Sequence, residues 1–149
     1  MRKLNKLQST IFAIGALFMV VATFMYVLRF QTVIARILFI IGAVGFTLMQ
    51  ALQTYDGSNP TIKRLRRIMS LADLFFILAG IFMLDTAMSN AAGSDPNAFT
   101  LFRQLFNSYI DYYTYLYNKW FPMLIIATML EVYSTLRLSH ELGKEEKKS

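Results

Sequence analysis

Four stretches of this 149-residue chain are apolar for about 20 residues each, and most polar residues fall between them. They run from about Ser9 to Leu28, Thr32 to Leu52, Ile68 to Ala87 and Lys119 to Leu138. Coiled as an α-helix, a run of that length matches the hydrocarbon thickness of a bilayer. Hydrocarbon offers backbone groups no partner, so each run must satisfy its own hydrogen bonds, and the pattern predicts four membrane-spanning helices. The first is preceded by Arg2, Lys3 and Lys6, as a secretory signal would be. Its apolar stretch is too long for a signal core and ends in Tyr26-Val27-Leu28-Arg29, without a small-residue cleavage pattern, so it reads as a retained anchor.

The connections are unequal. Arg29-Phe30-Gln31 alone separates the first two spans, which predicts a tight antiparallel hairpin. The next loop, from Gln53 to Pro60, is rich in turn formers, with Asp56-Gly57 and Asn59-Pro60 as helix breakers before a basic run. The third connection extends 31 residues from Met88 to Asn118. Within it, Asp95-Pro96 suits a helix start. Phe99, Phe102, Phe106, Tyr109, Tyr113, Leu116 and Trp120 then recur at alternating spacings of three and four, which is one face of a helix over about 96–117. Two geometries fit: a helix lying in the membrane interface, or an outward extension of the fourth span. The stripe either seals the top of the bundle or offers Phe99, Phe102, Phe106, Tyr109 and Tyr113 to a partner. Pro122 allows a kink at the junction.

Charge orients this arrangement. Lys63-Arg64-Leu65-Arg66-Arg67 lies between the second and third spans. Together with the N-terminal and C-terminal cations it puts eleven Lys and Arg on one side of the spans against four on the other. The basic side is expected to be cytoplasmic, with both termini inside. Anionic lipid headgroups are the natural ligand of Lys63, Arg64, Arg66 and Arg67. A mean hydropathy of +0.44 and only 16% charged residues reinforce the membrane reading, since soluble domains carry about 25% charge.

Ionisable groups inside the spans are the nearest thing to chemistry. Asp73 and Glu131 lie roughly 8 and 10 Å from the basic ends of their spans, at 1.5 Å per residue. Such groups must face the bundle interior, a wet cavity or a partner. Facing one another near Gln50, they would form a proton or cation site, because like charges force one carboxylate to hold a proton. Alternatively each is neutralised by Arg66, Arg67 or Arg137, or is protonated and hydrogen-bonded between helices. Arg36 and Asp85 lie near the opposite ends of their spans and are expected to form an ion pair there or to snorkel. Small residues at Ala43, Thr47 and Ala51, with Gly42, Gly45 and Ala79-Gly80, should let helices approach closely.

Several function classes drop out. There is no cysteine, and His140 is the only histidine, which leaves no thiolate site, HExxH zinc motif or bis-histidine haem within one chain. No P-loop or GxGxxG is present. No metal, cofactor or nucleic acid is expected, and the chain is not expected to be an enzyme. The strings Gln53-Thr54-Tyr55-Asp56-Gly57-Ser58-Asn59-Pro60-Thr61-Ile62-Lys63-Arg64-Leu65-Arg66-Arg67 and Leu130-Glu131-Val132-Tyr133-Ser134-Thr135-Leu136-Arg137 resemble those of a group of small bacterial four-span membrane proteins. That resemblance implies a bacterial inner (cytoplasmic) membrane setting and brings no activity or catalytic residue. The resulting expectation is one all-α domain over 1–149. It comprises a four-helix integral membrane bundle, the outer amphipathic segment and a short cytoplasmic tail at 139–149. Its favoured role is a non-enzymatic assembly or accessory subunit, working as a homo-oligomer or with another membrane protein. The alternative is a small transporter or channel that moves protons or cations through Asp73 and Glu131.

Overall fold

The computed structural model describes residues 5–92, 111 and 119–148. Among these residues the long helices are α1 (Lys6–Val27), α2 (Thr32–Ala51), α3 (Pro60–Ala92) and α4 (Trp120–Lys148). Each is long and apolar enough to cross a membrane. The aromatic segment, with Phe99, Phe102, Phe106, Tyr109 and Tyr113, lies outside the described residues. Trp120, at the end of its spacing, is buried and packs edge-on against Tyr26 of α1, with ring centroids 4.9 Å apart.

Local chemistry sets the helix ends. The Asn5 backbone N–H donates to the Gln8 side chain at 3.0 Å, one half of a capping arrangement at the start of α1. At its other end the Phe30 N–H reaches the Met25 carbonyl while Arg29 turns left-handed, with φ 54°. This is a Schellman ending made without glycine, and Gln31 is left-handed too, with φ 45°. The two reversals deliver the tight α1–α2 hairpin that the short connection demands.

Asn59-Pro60 starts a helix here rather than merely interrupting one. Asn59 Oδ1 accepts from the Thr61 N–H at 3.0 Å, and Pro60 takes the first helical position, where its missing N–H is harmless. The basic run therefore lies on the first turns of α3, directly before the apolar stretch at Ile68. The expected tail at 139–149 is likewise helical as far as Lys148. Glu141 pairs with Arg137 and Lys144 on one helix face, while Leu138 and Leu142 pack on Ile62, Leu65 and Met69 of α3. Pro122 falls in the first turn of α4, where no intrahelical bond is lost, so it need not kink the helix.

Two antiparallel pairs, α1 with α2 and α3 with α4, join chiefly through a thinner α2–α3 contact. The first pair is held at Gly15 and Gly42: a Cβ on Gly42 would lie 2.8 Å from the Gly15 carbonyl oxygen. The backbones approach so closely that only glycine fits. Of the small residues singled out in sequence, Ala43 and Gly42 are buried, while Ala51 is exposed and Gly45 faces open space. Rings fill the centre, with Phe46 stacked on Phe12 (4.5 Å) and set edge-on to Phe76 (6.0 Å). The starts of α1 and α3 and the ends of α2 and α4 gather at one end of the bundle, which is the basic end.

Candidate functional site

Antiparallel packing brings Gln50, at the end of α2, against Glu131 of α4: the Gln50 amide donates to Glu131 Oε2 at 3.3 Å. Arg66 of α3 completes the group. Its Nη2 donates to the Gln50 carbonyl at 3.1 Å and also to the Gln53 carbonyl. The first belongs to the last turn of α2 and the second to the loop just beyond it, so Arg66 ties the helix end and the loop together from the side. Gln50 thus links the guanidinium, through its main chain, to the carboxylate, through its side chain.

Asp73 stands seven residues beyond Arg66, about 20° short of two full helical turns, and so shares its face. It is only 5% exposed, and its Oδ1 has no hydrogen-bond partner among the described residues. It lies within electrostatic reach of both Glu131 and Arg66. The expected trio of Asp73, Glu131 and Gln50 therefore shares one neighbourhood, with Gln50 itself only 2% exposed. Of the three arginines considered as neutralising partners, Arg66 lies nearest this group, though no ion pair within 4 Å joins it to Asp73 or Glu131 among the described residues. Arg67 is exposed, and Arg137 pairs with Glu141 at 3.6 Å. One guanidinium faces two carboxylates, so with all three ionised the cluster carries a surplus negative charge. A proton or a small cation would balance it.

Two cavities, each of about 440 Å³, flank this cluster. One opens at the basic end, is lined by Lys63, Arg66, Arg67, Ser70 and the α2–α3 loop, and is polar. The other lies between α1 and α4 and is walled by Met19, Phe39, Phe46, Phe76 and Leu124, with Glu131 the one charged residue in its lining. Arg66 lines the first and Glu131 the second, so the Arg66–Gln50–Glu131 chain runs from one lining to the other. Beside the polar cavity, the Tyr55 hydroxyl donates to the Glu145 carboxylate at 2.7 Å, tying the α2–α3 loop to the end of α4. Burial, and then that bond, raise the Tyr55 phenol above its ordinary value of 10, so the donor keeps its proton throughout the neutral range.

The expected ion pair between Arg36 and Asp85 is not among the ion pairs of the described residues. Arg36 donates instead to Thr32 Oγ1, one turn back on its own helix, at 3.3 Å. Asp85 is buried at 2% exposure. A half-buried arginine near a helix start reaches its own first turn with less ordering of its long side chain than a second helix would require. Sequence reading missed the Tyr55–Glu145 tie and the Gly15–Gly42 contact. Neither has a local signal, because each joins residues 27 or more positions apart. Among the described residues, no group of three or more His, Cys, Asp or Glu is placed to hold a metal. No family model, curated protein or solved structure matches the chain.

Proposed function

We propose that this chain is a non-enzymatic multi-pass protein of a bacterial cytoplasmic membrane, with both termini inside, serving as an assembly or accessory subunit for another membrane component. The observation that carries the reading is the α1–α4 side of the bundle. There the two helix pairs leave an apolar cavity between them, with exposed Val20, Phe24 and Val132 at its rim. A bundle packed more loosely on one side than within its hairpins suits a protein that completes its packing against a partner. The orientation is supported by the gathering of Lys63, Arg64, Arg66, Arg67, Arg137 and Lys144 at one end. The test is detergent sizing together with crosslinking from single cysteines at Val20 and Val132, which the cysteine-free chain allows cleanly. A discrete higher-mass species, with a second copy or with one co-purifying membrane protein, is expected. A monomer under every condition, with no adduct, would reject the accessory role. Labelling single cysteines at Arg64 and Phe30 with an impermeant reagent reads the topology separately.

A second reading is favoured by the cluster itself. Two carboxylates share one guanidinium, and Asp73 Oδ1 is without a hydrogen-bond partner. This suits a proton- or cation-coupled transporter. Proton or cation flux in liposomes is then expected to fall at least tenfold in Asp73→Asn and Glu131→Gln. Flux that survives both substitutions unchanged rejects this mechanism.

A further inference from the structure

The basic run does not present its four cations alike. Lys63, Arg66, Arg67 and Ser70 follow an i, i+3, i+4, i+7 spacing and share one face of α3. That face forms a wall of the polar cavity, and the loop residues Tyr55 and Asp56 contribute to the opposite side. Arg64, in the middle of the same run and as exposed as Lys63 and Arg67, lies outside the cavity lining. A purely topological signal would treat all four cations as equivalent. The fold separates them.

We propose that this cavity is a binding site for a phosphate group, carried either by a lipid headgroup or by a free phosphate compound. Lys63 supplies a compact point charge and Arg67 a planar fork that fits two phosphoryl oxygens at once. Arg66 adds positive charge from the cavity wall while its own donors hold the Gln50 and Gln53 carbonyls. Ser70, whose hydroxyl bonds back to the Arg66 carbonyl at 3.2 Å, places a polar group one turn further along α3. The positive end of the α3 helix dipole adds to the same field. Asp56 is the opposing charge in the lining, and because Arg66 is shared with Asp73 and Glu131, it is Lys63 and Arg67 that tip the cavity towards an anion. The loop wall is held in place by the Tyr55–Glu145 bond, so less ordering is required of it on binding.

The lipid source of the phosphate rests on the membrane orientation proposed above, whereas binding of a free phosphate does not. The test uses the full-length protein in an uncharged detergent, titrated with short-chain phosphatidylglycerol and, separately, with inorganic phosphate. Saturable binding in at least one titration is expected. Lys63→Ala/Arg67→Ala should weaken it about thirty-fold, and Arg64→Ala should leave it within about twofold. Binding of phosphatidylglycerol alone assigns a lipid headgroup, and binding of inorganic phosphate assigns a free phosphate compound. If the double variant loses its monodisperse peak, Lys63→Gln and Arg67→Gln singly should each weaken binding about fivefold. Absence of saturable binding in both titrations, or a loss in Arg64→Ala equal to that in Lys63→Gln or Arg67→Gln, overturns the site. Either failure leaves the cysteine-mapped topology untouched.

Discussion

At the scale of single residues, Arg66 does most to hold the basic end together. It holds a carbonyl of the last turn of α2 and one of the following loop, and it is the nearby cation for two carboxylates on two helices. Removing it leaves the Gln50 and Gln53 carbonyls without this donor and the carboxylates without their nearest cation, at a cost of about 1–3 kcal/mol. Arg66→Met is therefore expected to lower unfolding stability in detergent by that amount. Neutralising the whole cluster, as Arg66→Met/Asp73→Asn/Glu131→Gln, should restore more than half of the loss, since no charge is then left unmatched. Arg36→Met should cost far less, because among the described residues Arg36 makes a single side-chain hydrogen bond, to Thr32 on its own helix. Part of this was legible in the sequence: the seven-residue step from Arg66 to Asp73 places them on one helix face. The choice of Arg66 over Arg67 was not legible, because that depends on where the end of α2 lies.

Among the elements, the α1–α2 pair is the most tightly constrained. Gly42 has the Gly15 carbonyl and the Phe18 side chain where a Cβ would go, at 2.8 and 3.0 Å, whereas Gly45 has nothing within 4 Å. Gly42→Ala is expected to destabilise the protein by about 1–3 kcal/mol, because rigid backbone has to move. Gly45→Ala should be neutral or slightly stabilising, since alanine is the better helix former. Thermal unfolding of the two variants side by side checks the contrast, and equal midpoints would show that the close approach is not needed. Apolar run lengths located all four helices to within a few residues at most ends. They did not indicate that α3 begins at Pro60 or that α4 runs on to Lys148. In both places the helix continues past the hydrocarbon-length segment because a cap or a set of ion pairs sustains it.

For the molecule as a whole, the arrangement of the two helix pairs matters more than any one contact. The α1–α4 cavity has Thr128 in its lining, and that side chain is exposed. Thr128→Leu adds apolar volume there and is expected to raise the stability of the isolated chain by about 0.5–2 kcal/mol. If the cavity is where a partner completes the bundle, the same substitution should abolish the higher-mass species seen on sizing. A stabilised variant that keeps its partner would place the interface elsewhere.

Sequence alone determined that the chain makes four long apolar helices and that its cations gather between particular ones. Hydrophobic run length and charge position are properties of short segments, and the backbone's need for internal hydrogen bonds converts them directly into helices. Only the tertiary structure decided which polar groups meet. The phase of each helix about its own axis depends on contacts such as Gly15 against Gly42. Those rotations bring Gln50 onto Glu131, turn Arg66 inward to the end of α2, and leave Lys63 and Arg67 lining a cavity that Arg64 does not touch.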